Sequence, residues 1–420
     1  MLASMRFRGG SRPNPAAAAA PSGPPAARRP SGKPFDRAGP ALFALSGAAF
    51  LVSLDRAIFA PLLPALSHDL HSTVGITAQA VTAYVLPYGL FQLAYGPLGD
   101  RSGKVAVVRW CMLVFALGTG LCSLVTVLPA LFALRALTGA CAAAVIPLSL
   151  AYIGDVVPYE RRQQAIAGLM GVTALGNVLS TAVGGIVGNF LSWRALFGLY
   201  GVCSLVVVAL LFRVPPTSAS APAGAPTSAW ARYHRVFRLP QARRLYLLVA
   251  LEGASVNGGF TYLGAYLRVR FDLDYLRIGL ILACYAGGTL FTSRFLRRAL
   301  TRFQERDLVG AGGLLLALGF LLLLPLPSWP FFPLPLLLMG AGFALFHSTL
   351  QTRATELAPG LRGTSVALFA FSLFLGGGIG TALLGWVVTT HGYTPLILFS
   401  GLGMLAITVG ARFARAKSTR

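Results

Sequence analysis

The sequence is short of charge, and above all of negative charge. Only 11% of its 420 residues are charged, and just 12 are Asp or Glu. Soluble domains carry about a quarter charged residues, so a chain of this size could not cover a water-facing surface with so few. Its 55% hydrophobic content points to the bilayer as its solvent. Cysteine is scarce as well. Cys111, Cys122, Cys141, Cys203 and Cys284 all fall inside apolar runs, without metal-ligand spacing, and read as small packing residues rather than disulfide partners. The sequence holds no GKS/T phosphate loop, no His/Cys metal set and no nucleophile motif. ATP drive and enzyme chemistry are therefore not expected, and no cofactor or metal is.

What the chain has in plenty is apolar length. A membrane-crossing helix needs about 20 apolar residues. Such segments recur at 42–64, 77–97, 105–127, 130–152, 165–188, 195–212, 245–267, 276–293, 308–325, 331–351, 363–388 and 393–411. The expectation is an all-α membrane protein with twelve transmembrane helices. Residues 1–40, rich in Ala, Pro, Gly and Arg, show no apolar period and read as a disordered tail. Their Arg-rich, acid-poor character resembles an organelle transit peptide, but they are too proline-rich for the amphipathic helix such a peptide needs. Residues 41–213 form a first set of six spans, 214–244 a linker, 245–412 a second set of six, and 413–420 a tail. Within the linker, Trp230 to Arg244 reads as a short basic interfacial helix.

The placement of the positive charge tests this division. The net charge of +23 could suggest nucleic acid. With the N-terminus placed inside, however, every Lys and Arg except Arg56, Arg135, Arg194, Arg268, Arg270 and Arg277 falls on the cytoplasmic side. That is the positive-inside bias of a multi-pass protein of the plasma (cell inner) membrane, with both termini cytoplasmic. Anionic lipid is the expected neighbour of these bases, with no nucleic-acid partner.

A shift of 201 positions lays Pro158 on Pro359, Arg161 on Arg362, Gly176 on Gly377, Ser180 on Thr381 and Gly184 on Gly385. Two six-helix halves in parallel relation follow from this repeat.

The loop Gly96-Pro-Leu-Gly-Asp-Arg-Ser-Gly-Lys104 joins the second and third spans. Gly96, Leu98, Gly99, Asp100, Arg101, Gly103 and Lys104 match G-x-L-[AG]-D-[RK]-x-G-[RK], so the chain resembles the major facilitator superfamily over about residues 40–412. Asp155 and Pro158-Tyr-Glu160-Arg161 resemble that family's P-E-S-R loop. The resemblance implies two pseudo-symmetric halves that rock about a midplane site. It also implies a cytoplasmic latch of Gly96, Gly99, Asp100, Arg101, Gly103, Lys104, Asp155, Glu160, Arg161 and Arg362 that meets in the outward-open state. Arg135-Ala-Leu-Thr-Gly139 is similar to the R-x-x-x-G signature of drug/proton antiporters. In span 5, Gly176, Gly184 and Gly185 fit the antiporter pattern G-x-x-x-G-P-x-x-G-G, but Ser180-Thr181 stands where that pattern has Gly-Pro.

Charges inside spans cost several kcal/mol and mark functional sites by default. Asp55 and Arg56 lie in span 1, Arg135 in span 4, Glu252 in span 7 and His347 in span 10. Burial favours the neutral acid, so Asp55 is the first candidate for a proton carrier; a structural Asp55–Arg pair is the alternative. Successive helix positions differ by about 100°, so Asp55 and Arg56 need not face the same way. Arg135 either shares in proton transfer or satisfies backbone carbonyls. Glu252 is a second titrating site or a gate residue, and His347 a proton relay or a packing residue. Tyr84, Gln92, Asn257, Thr261, Tyr262 and Gln351 are candidate substrate contacts. The expected function is proton-coupled efflux of small, partly apolar molecules by a monomer; the alternative is a proton symporter that takes up a sugar or other metabolite.

Overall fold

A computed structural model describes residues 34–215 and 229–413, all helical or in short connections, with no strand among them. Residues 1–33 of the expected tail 1–40, 216–228 of the linker and 414–420 of the tail 413–420 lie outside the described residues. Residues 34–40 are helical and begin span 1, so the first span starts earlier than its apolar run.

In the first half, span 1 is Pro34–Ala57 followed by Phe59–Asp69, and span 2 is Val74–Thr77 with Gln79–Ser102. Span 3 is Lys104–Cys122, span 4 Leu128–Ala142 with Val145–Val156, span 5 Tyr159–Phe190 and span 6 Trp193–Arg213. A surface helix, Ala229–Phe237, precedes the second half. Span 7 runs from Pro240–Glu252 through a π turn, Gly253–Asn257, to Gly258–Phe260 and Leu263–Phe271. Span 8 is Tyr275–Arg302, span 9 Glu305–Leu322, span 10 Pro333–Glu356, span 11 Arg362–His391 and span 12 Tyr393–Phe413. Ten of the twelve are long and apolar enough by themselves to cross a bilayer. Span 7 is broken into short pieces, and span 9 opens with Glu305, Arg306 and Asp307.

Proline sets the breaks in spans 1 and 4. Pro61 lacks an N–H and its ring crowds the carbonyl four residues back, at Ala57, where span 1 breaks. Pro147 does the same at Ala143, where span 4 breaks. Span 5 carries Ser180-Thr181 in place of Gly-Pro and stays one helix of 32 residues. Pro240 at the first turn of span 7 also splits the expected Trp230–Arg244 helix in two: the surface helix stops at Phe237 and span 7 begins anew.

The 201-residue repeat has a packing reason. Gly176 and Gly184 of span 5 lie against the backbone of span 1 at Phe50 and Ile58. In the second half Gly377 lies against Asn257 of span 7, and Tyr262 of span 7 donates to the Thr381 carbonyl at 2.6 Å. Small residues let helices meet closely in lipid, where no hydrophobic effect drives them together. Apolar cores fill each half, with Met112 and Phe115 in the first and Phe320 and Phe346 in the second, and they reach across: Ala60 and Leu63 join the second half's core and Phe374 the first half's.

Glycine contacts join the halves along three helix pairs, spans 5 and 8, 1 and 7, and 2 and 11, where Gly89 meets Phe374 and Gly378 meets Leu86; three more stand at the ends of these seams. Gly185 of span 5 abuts Gly279 of span 8, Gly264 of span 7 abuts Ala60 of span 1, and Gly75 at the start of span 2 abuts Gly385 of span 11. All three lie toward the face opposite Lys104. Near the Lys104 face the surface helix ties on, through the Tyr233 hydroxyl that donates to the Leu93 carbonyl at 2.9 Å.

Candidate functional site

Between the halves lies a cavity of about 360 Å³, within the ~300–1,000 Å³ usual for small-molecule sites. Its lining residues Thr181, Leu282, Thr261 and Thr381 each stand one helical turn from a seam glycine. The cavity is therefore sealed toward the face opposite Lys104.

Each half holds a buried acid–base pair between its first and fourth spans. In the first, Arg135 Nη1 donates to both Asp55 oxygens, at 3.0 and 2.9 Å. Both side chains are fully buried, and the guanidinium lies over the rings of Tyr84 and Phe59, at 4.1 and 4.6 Å. In the second, His347 Nδ1 lies 3.1 and 3.3 Å from the two Glu252 oxygens. Glu252 is fully buried and ends the helix just before the π turn. His347 differs from Arg135 in one respect that matters: it lines the cavity, with its ring stacked on Phe343 at 4.6 Å.

Arg56 faces away from Asp55, as helical geometry allows. It lines the cavity and donates from Nη2 to the Asn177 side-chain oxygen at 2.8 Å, and its guanidinium sits 5.7 Å from the Phe374 ring of the other half. Of the expected substrate contacts, Asn257 and Thr261 line the cavity. Tyr84 is instead sealed against Arg135, Tyr262 is buried against Thr381, Gln92 is half-buried with its carbonyl oxygen unpaired, and Gln351 is exposed at the end of span 10. Sequence reading missed Asn177, Phe260, Tyr285, Phe343 and Phe374. In the linear sequence, cavity-facing and lipid-facing phenylalanines look alike. Ser180, the departure from the antiporter pattern, donates to the Leu54 carbonyl at 2.5 Å, beside Asp55.

At the Lys104 face, Gly103 adopts φ +83°, the left-handed turn that glycine permits. Lys104 Nζ donates to Asp155 at 2.6 Å and lies 3.4 Å from Asp100. This cluster stays within the first half. Arg101, Arg161 and Arg362 are exposed at the same face, as are Gly96 and, on its helix, Gly363; Gly99 packs on Leu148. The side chain of Glu160 lies outside those described.

Twelve spans in two related halves among the described residues, around a cavity sealed at one end and flanked by buried charge pairs, define a secondary transporter. The sequence profile of the Major Facilitator Superfamily matches residues 45–381 and 270–419. The chain belongs to that superfamily. It is a multi-pass plasma-membrane transporter of small molecules and not an enzyme. It is similar to the MFS-type transporter YceJ of Bacillus subtilis (strain 168), 29% identical over 349 residues, with 80% of this chain and 86% of the relative covered. It is also similar to a chloramphenicol resistance protein of Pseudomonas aeruginosa, 24% identical over 386 residues, covering 88% and 91%. The nucleoside transporter NupG has the same fold, with TM-score 0.76 at 15% identity, covering 88% of this chain and 98% of that one.

Proposed function

We propose that the protein exports small, partly apolar molecules in exchange for protons, by alternating access, and that Glu252–His347 carries the exchangeable proton. The observation behind this reading is the contrast between the two pairs. A guanidinium keeps its charge throughout the working pH range. Protonating Asp55 would leave Arg135 buried without its counter-charge, so Asp55–Arg135 is the packing pair that the sequence left open. Imidazole and carboxylate, in contrast, can share or lose one proton. With it the pair is neutral overall; without it the Glu252 carboxylate accepts from Nδ1–H and the pair carries one negative charge. A net charge in a dry site is costly, so the pair releases its proton only when the cavity stands open to water. That requirement links proton release to the conformation of the halves.

The Lys104 face is taken as cytoplasmic, from its excess of bases, which makes this arrangement inward-facing. Lys104, Asp100 and Asp155, with Arg101, Glu160, Arg161 and Arg362 nearby, are then positioned to latch the halves in the opposite state. Export is supported by the resistance function in the name of the Pseudomonas aeruginosa relative. The second reading, uptake by proton symport, has its support in Ser180-Thr181, where the antiporter pattern has Gly-Pro.

The test is solute movement into or out of proteoliposomes under an imposed pH gradient, with the wild type and Glu252→Gln. The expected result is movement against the proton flow, lost in Glu252→Gln while exchange of labelled for unlabelled solute without a gradient persists. Movement with the protons would replace export by the symport reading. Gradient-driven transport that survives Glu252→Gln would remove the proton from this pair.

A further inference from the structure

Arg56 is the charged group at the cavity that proton exchange leaves unused. We infer that the cavity selects an amphipathic organic anion, with one carboxylate-type group on Arg56 and a flat apolar body against the aromatic wall of the second half. The inference rests on reading the cavity as the transport site, but not on the direction of transport or on proton coupling.

Arg56 brings a permanent cation to the cavity. Among the described residues it makes no ion pair. Asp55, its neighbour in sequence, has both oxygens on Arg135, and the Glu252 carboxylate is taken by His347. Around Arg56 stand groups that hold it without neutralising it. The Asn177 oxygen accepts one N–H, and the Phe374 ring lies 5.7 Å from the guanidinium. A guanidinium has five N–H donors in a planar fork that suits a carboxylate two bonds at a time. One is committed to Asn177, so a bidentate edge is left for a ligand.

The remaining wall is mainly apolar, with Asn257, the Tyr285 hydroxyl and the hydroxyls of Thr181 and Thr381 as its further polar groups. Thr261 donates to the Asn257 carbonyl, and Thr289 lies within hydrogen-bonding distance of the carbonyls of Tyr285 and Gly340. A lipophilic cation would meet Arg56. Opposite, Phe260 and Tyr285 pack with ring centroids 4.9 Å apart, Tyr285 and Phe343 5.9 Å apart, and Phe343 stacks on His347. A planar ring or branched apolar body fits such a surface. When Glu252–His347 holds its proton, Arg56 leaves the cavity with a net positive charge that an anion neutralises.

The test uses the purified full-length chain in detergent, with no gradient, and equilibrium dialysis of three probes of one shape: 1-naphthoate, 1-naphthamide and 1-naphthylmethylammonium. The expected result is that naphthoate binds at least tenfold more tightly than either. In Arg56→Gln the preference should vanish, with naphthoate binding no more tightly than the amide does in that same variant. Arg56→Lys, which keeps the charge, should keep an anion preference and guards against a misfolded Gln variant. Equal or tighter binding of the ammonium, a naphthoate preference that persists in Arg56→Gln, or no saturable naphthoate binding overturns the inference. Because no gradient enters the assay, a failure of proton coupling in proteoliposomes leaves the binding result intact, and the reverse holds too.

Discussion

Removing one member of the Asp55–Arg135 pair should destabilise the protein far more than removing both. Asp55 and Arg135 are 0% and 1% exposed, and the guanidinium donates twice to the carboxylate. Losing one partner of such a pair strands the other charge in a dry interior, at about 3–5 kcal/mol. Replacing both by apolar residues of similar size is often close to neutral, because the desolvation of two ions disappears with their attraction. The flanking rings of Tyr84 and Phe59 would then pack against aliphatic carbons instead of a cation. The perturbations are Asp55→Leu, Arg135→Met and the double variant. The assay is the fraction of each purified protein that stays monodisperse after heating through a series of temperatures, read as a double-mutant cycle. Both single variants should lose about a hundredfold or more in their folded-to-unfolded ratio at the wild-type midpoint, and the double variant should regain most of it. The double variant should also keep gradient-driven transport, since the exchangeable proton is placed elsewhere. Single variants that match wild type, a double variant no better than its parents, or one that folds well yet loses proton coupling would each refute a packing role for the pair.

Gly185→Val should open the seal, because a Cβ there meets the backbone of Tyr275 and Gly279; a thiol reagent added from the side opposite Lys104 should then label a cysteine placed at Thr181, and unchanged protection would contradict the seam. Lys104→Met should cost about 1 kcal/mol, the lower end for a charge-assisted bond whose Asp155 partner is half exposed, read in the same heating assay against Asp155→Asn. Partial burial would by itself raise the Asp69 carboxyl, but hydrogen bonds from Trp193, Arg194 and His68, with the Arg194 charge, outweigh it and hold it below 3.8. The stabilisation is therefore full above pH 3.8 and is lost as pH falls through the lowered value; Asp69→Asn should remove that acid-side loss while costing under about 1 kcal/mol at neutral pH, and an unaltered acid profile would count against it.

The sequence by itself determined the solvent, the number of spans and their division into halves. Those features rest on sums over many residues: apolar length, the one-sided placement of bases, and a repeat carried by Gly176 and Gly184. Bilayer thickness and helix rise convert such sums directly into architecture. The sequence also marked Asp55, Arg56, Arg135, Glu252 and His347, because charge inside an apolar run stands out wherever it faces. Which of them meet was decided only by tertiary packing. Adjacent residues 55 and 56 point into different compartments, one toward Arg135 and one toward Asn177. Partners 80 and 95 positions apart in sequence become hydrogen-bonded. The aromatic wall escaped notice for the same reason: Phe343 and Phe374 carry no local signal that separates a cavity wall from a lipid-facing surface, and only the approach of spans 8, 10 and 11 places them around one space.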